Sequence, residues 1–315
     1  MATLYTAAHE AGWRNAKHRA QWTSTLTTYA FPHIGSMGLE EISTDDVLRC
    51  LQPIWTAKSE TATRVRGRIE SVLDYAIARG WRTTPNPARW RGHLANLLPP
   101  PSKVAKVEHH AALPWQQMGD FMARVRAQSG TAARALEFCI LTATRTGEAL
   151  GARWSEINLE AAVWTVPADR MKAGREHRVP LSGAALAVLA FMAPLHSKSG
   201  DAPVFPGQAK GKPLSNMSML MLLRRMKRRD LTVHGFRSAF RDWCEEATST
   251  PHSVAEAALA HAIGDKVEAA YRRGDLFAKR ATLMEEWATF CGKGAAEGDR
   301  AGAGCCRAVH RSAGE

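Results

Sequence analysis

The sequence predicts a mainly α-helical protein of two domains, the second carrying a small antiparallel β-sheet. Three observations lead there. Apolar residues recur at helical spacing over most of the chain, as in the stripe Val65, Ile69, Val72 and Ala76. One stretch, Leu97 to Lys106 with three consecutive prolines, breaks every periodic pattern. Only two short runs, Val163 to Val166 and His177 to Leu181, are β-rich.

Taken in order, residues 7–28 read as a first helix, closed by Phe31-Pro32 and Gly35. Ser43, followed by Asp45 and Asp46, predicts an N-cap with acidic residues in the first turn of a helix towards Ile54 and Trp55. A further helix spans 59–79 and ends at Gly80, with Thr84-Pro-Asn-Pro87 as a turn. Residues 1–98 therefore form a helical domain and 99–109 a linker. A second domain occupies 110–291, with helices at 114–128 and 132–142 and a hairpin whose turn is Lys172-Ala-Gly-Arg175. Helices then resume at Ala184 and run to about Phe290. Residues 292–315 are rich in Gly, Ala and Arg without periodicity and read as a disordered tail.

The 315 residues suffice for two domains with real cores, and the formal net charge of +12 points to a polyanionic partner. No window approaches the ~18 apolar residues of a spanning helix, so nucleic acid is preferred to a membrane. The six cysteines lack CxxC spacing; Cys139 and Cys244 read as small buried hydrophobes, and a reducing cytoplasm is the expected location. Cys305, Cys306 and His310 fall short of the four spaced ligands zinc needs, so no metal is expected. Up to Lys106 the chain holds 14 Lys/Arg against 8 Asp/Glu, so the first domain is basic in its own right. Its candidate nucleic-acid contacts are Arg64, Arg66 and Arg68, and those of the linker are Lys103 and Lys106.

Five stretches of the second domain put polar or cationic residues where a plain core would not want them. Arg145 and Glu148, three apart at a helix start, share a face, which alone would equally fit a surface ion pair. Lys172 sits on the hairpin turn with Arg175 beside it; a turn lysine is by itself ordinary. His234-Gly-Phe-Arg237 opens a helix whose Phe236, Phe240 and Trp243 face a core. A cationic pair at a helix N-terminus is electrostatically misplaced unless an anion joins it. His261 closes an apolar run, and Tyr271, the one tyrosine after the linker, is flanked by Arg272 and Arg273. The run Arg224, Arg225, Lys227, Arg228 fits either a solvated face or a phosphate contact.

Together these residues suit a metal-free attack on a phosphodiester. Two arginine forks can hold non-bridging phosphate oxygens, and the histidines can move protons near neutrality. A lysine on a turn can protonate a leaving alkoxide. A tyrosine hydroxyl is a nucleophile that needs nearby cations and a base.

The order Arg145, Lys172, His234-Gly-Phe-Arg237, His261, Tyr271 resembles the tyrosine recombinase (phage integrase) family, in particular the integrases of prophages and genomic islands. The resemblance covers residues 4–291 and includes Thr142-Ala-Thr-Arg-Thr-Gly-Glu148, Met171-Lys-Ala-Gly-Arg-Glu-His-Arg-Val-Pro-Leu-Ser182 and Ala269-Ala-Tyr-Arg-Arg273. Leu259-Ala-His261 stands where the family usually has Leu-Gly-His. The resemblance implies the tyrosine recombinase fold, with a core-binding domain and a catalytic domain closing on double-stranded DNA. It implies that Arg145 and Arg237 clamp the scissile phosphate and that Lys172 protonates the 5′ oxygen. His234 would assist proton transfer, His261 would bond a phosphate oxygen, and Glu148 would orient its neighbours. Tyr271 would form a 3′-phosphotyrosyl link, with neither ATP, cofactor nor metal required. A homotetramer on two duplexes and accessory DNA-bending or directionality proteins are the implied partners. The helix at 276–290 either packs on its own domain or docks on a neighbouring protomer. The family's arm-binding N-terminal domain has no counterpart here, which fits a short form or a remnant that only binds DNA. A type IB topoisomerase-like activity would use the same chemistry without strand exchange.

Overall fold

The computed structural model describes residues 1–13, 16–104, 111–195, 201–209, 211–261 and 274–293. Two compact units divide between Glu108 and His109. The expected disordered tail, Lys106 and Tyr271 lie outside the described residues.

In the first unit, helices α1 (Ala2–His9), α2 (Ala16–Tyr29), α3 (Phe31–Ile34), α4 (Thr44–Trp55), α5 (Ser59–Ala78) and α6 (Pro101–Val104) surround a core that includes Trp22, Leu26, Leu51, Trp55, Ile69 and Leu94. The single helix expected over 7–28 is two, because a 3₁₀ turn at Glu10–Gly12 ends the first. Ser43 caps α4 as expected: its hydroxyl accepts from the Asp46 N–H, and the Asp46 carboxylate accepts from the Ser43 N–H at 2.8 Å. Helix α5 ends at Gly80, whose φ of +71° lets its N–H reach the Ile77 carbonyl while that of Trp81 reaches Ala76. The start of the expected linker is part of this unit: next to the core residue Leu98, the Pro99 carbonyl accepts from Trp55 Nε1 at 2.9 Å.

Of the basic residues proposed here as DNA contacts, Arg64 is exposed and pairs with Glu60, and Lys103 is exposed on α6. Arg66 and Arg68 turn inward instead. Arg66 pairs with Glu70, donates to the Ala88 carbonyl and lies over the Trp90 ring. Arg68 is buried over Trp22 and donates to Gln21 O and Thr25 Oγ1. Their stems extend the buried stripe of α5, and their heads satisfy carbonyls of other segments, so both are held within the unit.

The second unit packs α7 (Met118–Arg126), α8 (Thr131–Leu141), α9 (Thr146–Leu150), α10 (Gly183–Met192), α11 (Ser218–Arg225), α12 (Gly235–Ala247), α13 (His252–Ala258) and α14 (Phe277–Gly292) with a three-stranded antiparallel sheet. The strands β1 (Ile157–Asn158), β2 (Val163–Val166) and β3 (His177–Pro180) run in that order. β1 was not anticipated from sequence. The β2–β3 connection is longer than a tight turn and holds a 3₁₀ segment at Ala168–Arg170. The continuous helical region expected after Ala184 is interrupted too. Over 201–209 and 211–217 the backbone is irregular and bridged between Arg153 and Pro203 and between Pro206 and Pro213. Helix α14 packs on its own unit, with Leu283, Met284 and Trp287 in the core and Trp287 Nε1 donating to the Ile140 carbonyl at 2.9 Å. Among the described residues no helix is long and apolar enough to cross a membrane, and Cys50, Cys139, Cys244 and Cys291 are free and buried.

Helices α8 and α13 both end on alanine in the left-handed conformation, Ala143 and Ala260, each with φ near +49°. At the end of α13 the Ala260 N–H bonds the Ala257 carbonyl at 3.1 Å and the His261 N–H bonds the Glu256 carbonyl at 3.0 Å, which closes the helix in a Schellman motif. Glycine normally fills that position because a Cβ there is strained by roughly 1 kcal/mol. Ala260→Gly is therefore expected to raise the melting temperature by a few degrees, offset in part by added chain entropy. A melting curve left unchanged or lowered would contradict a strained Ala260.

Candidate active site

Arg237 projects from the first turn of α12 into the core, where only 5% of its surface stays exposed. Its guanidinium donates to the Ala143 carbonyl after α8 and, from Nη2, to the Leu259 carbonyl after α13 at 2.6 Å. Nη2 also lies 3.2 Å from His261 Nε2. Its Nε is buried with no hydrogen-bond partner among the described residues. Burial, and next the charge of Arg145, pull the Arg237 guanidinium down to about 10. A cationic group so placed gains from an anion.

Arg145 is the N-cap of α9. Its N–H donates to Glu148 Oε2 at 2.9 Å and its Nη1 to Glu148 Oε1 at 2.8 Å, so the pair expected from the three-residue spacing is present. Glu148 is buried and faces Arg145 rather than solvent. Arg145 Nη2 points to the Ala260 carbonyl at 3.4 Å. Behind this helix, Arg170 donates to the Glu148 carbonyl at 2.7 Å and pairs with Glu156, bracing α9 from the far side.

His261 is partly exposed, and its Nδ1 lies 2.8 Å from Glu256 Oε2. The structure thus brings together Arg145, Glu148, Arg237 and His261. His234 is exposed as the N-cap of α12, and its carbonyl accepts from the Arg237 N–H at 3.1 Å. The adjacent Gly235 has no room for a side chain: a Cβ would lie 2.3 Å from the Ala111 carbonyl oxygen. Lys172 and Arg175 are exposed on the hairpin loop and are not joined to the arginine cluster. Arg224, Arg225 and Lys227 are exposed at the end of α11, while Arg228 is bound to the Asp230 carboxylate. No group of residues that could hold a metal ion occurs among the described residues.

Three residues that sequence reasoning did not single out belong to this neighbourhood. Glu256 holds His261, and its place five residues earlier gives no helical-face signal that would pair them. Arg280 on α14 is buried and donates to the Arg178 and Asp275 carbonyls at 2.6 and 2.7 Å, tying α14 to β3. His177 on β3 is half-buried and lies within electrostatic reach of Arg280, Glu148 and Arg145. Its alternation with Val179 was the available signal.

Burial, then the Arg280 charge, hold the His177 imidazole down to about 4. The folded chain therefore keeps it neutral where the unfolded chain, near 6.5, takes up a proton. Stability from this group is complete above about pH 6.5 and is lost as pH falls towards 4, by roughly 2–3 kcal/mol. Urea unfolding at pH 7 and 4.5 should show that loss in the parent chain and a smaller one in His177→Gln. Equal losses in both would contradict a buried neutral His177.

The sequence matches the phage integrase central domain over residues 1–93 and the phage integrase family over residues 112–275. Prophage integrase IntA of Escherichia coli (strain K12) is 32% identical over 272 residues, which is 85% of this chain and 63% of that protein. Prophage integrase IntZ of the same strain is 32% identical over 291 residues, covering 91% of this chain and 69% of that protein. The integrase of Enterobacteria phage P4 is 29% identical, covering 87% and 64%. The chain thus spans about two thirds of the length of these relatives, and slightly less for IntA and the phage P4 integrase. In fold it is similar to a lambda integrase(75-356) dimer bound to a COC′ core site, with a TM-score of 0.64 at 18% identity over 83% of this chain and 94% of that one. A lambda integrase tetramer bound to a Holliday junction gives the same TM-score and identity over 84% of this chain and 77% of that one. With the arginine cluster, the helical fold and its small sheet accounted for, the chain belongs to the phage integrase family of tyrosine recombinases.

Proposed function

We propose that the chain is a site-specific recombinase that cuts and rejoins double-stranded DNA through a 3′-phosphotyrosyl link to Tyr271, integrating or excising a mobile element. The observation that carries this reading is the convergence of Arg145, Arg237 and His261 at the end of α13, where Arg237 also keeps a buried Nε donor without a partner among the described residues. Both arginines are fixed by backbone carbonyls and Glu148, so their guanidinium groups are held in place before a phosphate arrives. In the reaction the Tyr271 oxygen attacks phosphorus as its proton leaves with help from His234. The P–O5′ bond breaks and Lys172 protonates the departing oxygen. One phosphate ester is exchanged for another, so resealing by a 5′-hydroxyl needs no ATP. Charge that develops on the non-bridging oxygens is met by Arg145, Arg237 and His261.

The surplus of basic residues supports a duplex partner. Exposed Arg64, Lys103, Arg175, Arg224, Arg225 and Lys227, together with Lys106, would contact phosphates and make binding weaken with salt. Arg66, Arg68 and Arg228 serve internal contacts first. Assembly as a homotetramer on two duplexes is the form this chemistry needs for strand exchange, with accessory DNA-bending or directionality proteins as further partners. The cytoplasm, at the nucleoid, is where such a substrate is met.

Nicked suicide duplexes tiled across the DNA that flanks the gene test this directly. A covalent protein–DNA adduct should form in chelator, survive denaturation and disappear in Tyr271→Phe. Arg237→Ala should slow adduct formation by about 100-fold or more while DNA affinity falls far less. No adduct on any duplex would overturn the recombinase reading in favour of a binding protein. Adducts with relaxation but no exchange between duplexes would favour a topoisomerase-like activity.

A further inference from the structure

We propose that Glu256 is a positioning residue for this reaction: it fixes the tautomer of His261 and stabilises the charge His261 carries when it bonds a phosphate oxygen. The proposal rests on the reading of His261 as a phosphate ligand, and it adds a residue and a protonation state to that reading.

The tautomer follows from the two ring contacts. A neutral imidazole has one N–H and one lone pair. The arginine Nη2 of Arg237, 3.2 Å from His261 Nε2, can only donate, so Nε2 accepts. The Glu256 carboxylate, 2.8 Å from Nδ1, accepts, so Nδ1 carries the proton. Both contacts therefore select one form. The main chain reinforces it, because the His261 N–H donates to the Glu256 carbonyl in the motif that ends α13. Ring and backbone are registered on the same residue.

Glu256 is itself held. Its other oxygen accepts from Arg241 Nε at 2.6 Å, and Arg241 also pairs with Glu245 and lies 2.9 Å from His252 Nδ1. Burial pushes the Glu256 carboxyl up, but the bonds from His261 and Arg241 outweigh it and keep it below its ordinary value, so it remains a carboxylate. Among the described residues, the groups facing His261 are thus Glu256 from its own helix end, Arg237 from α12 and, through the Ala260 carbonyl, Arg145 from α9.

This arrangement changes when a phosphate arrives. A phosphate oxygen offers no proton, so Nε2 has to exchange its role as acceptor from Arg237 for that of donor. It takes a proton from solvent, and Glu256 faces the resulting imidazolium as its counter-charge. Arg237 Nη2 is released from Nε2 in the same event and becomes free to bond the phosphate. Glu256 thereby couples the two phosphate ligands of the site.

Long-range ¹H–¹⁵N spectra of the whole free chain test the tautomer, with the His261 ring assigned by its loss in His261→Asn. The parent chain and Glu256→Gln, which keeps an acceptor oxygen, should show the Nδ1–H form, and Glu256→Leu should lose it. On the suicide duplex that the parent chain cleaves, Glu256→Gln should slow adduct formation about 10- to 100-fold, the range over which carboxylates that orient metal-bound histidines act. Its DNA affinity should stay within about twofold of the parent, because Glu256 itself meets no phosphate. Glu256→Leu should be slower again. An Nε2–H ring in the parent chain, or Glu256→Gln cleaving at the parental rate, would overturn the proposal while leaving the recombinase reading intact. A parent chain that cleaves no duplex would overturn the recombinase reading, and the tautomer measurement would still decide whether Glu256 fixes the ring.

Discussion

Two consecutive carbonyls at the end of α13 organise the second unit's site. That of Leu259 meets Arg237 from α12, and that of Ala260 meets Arg145 from α9. The last carbonyls of a helix have no partner within it, and they form the negative end of its dipole. Cationic and N–H-bearing side chains are their natural complement. Two helices are thereby pinned to one helix terminus. The two arginines approach each other only because these carbonyls, the Ala143 carbonyl and Glu148 offset their mutual repulsion.

The same constraint accounts for the backbone strain. To turn those carbonyls outward the chain must reverse sharply after α13, and the reversal places Ala260 in the left-handed region; Ala143 does the same after α8. Strain of this kind persists where the surroundings over-determine it, as several bonds to buried groups do here. The reversal also delivers His261 back over Glu256. One local device therefore presents both the carbonyls that hold the arginines and the histidine that adjoins them.

Much of this was legible in the sequence, and the misses have physical causes. Ser43 with Asp46, and Gly80, marked helix ends because caps are local chemistry. The Arg145–Glu148 pair and the buried face of α12 followed from helical spacing. Arg68, expected among the DNA contacts, stands three residues after Val65 and four before Val72, on the buried stripe. Its partners, Gln21 and Thr25, lie far away in sequence, so no local pattern announced them. The irregular stretches 201–209 and 211–217 replace expected helix because Pro203, Pro206 and Pro213 act as breakers. His177 and Glu256 escaped notice since a site made at a helix terminus is assembled from tertiary contacts.

The central claim is that Arg145, Arg237 and His261 form one binding site for a tetrahedral oxyanion. Crystals of the chain soaked in tungstate, with the anion located by its anomalous signal, test it most directly. A peak is expected within hydrogen-bonding distance of Arg237, Arg145 and His261 Nε2. Tungstate bound only along the exposed basic residues of α11, with none between the two arginines, would contradict it.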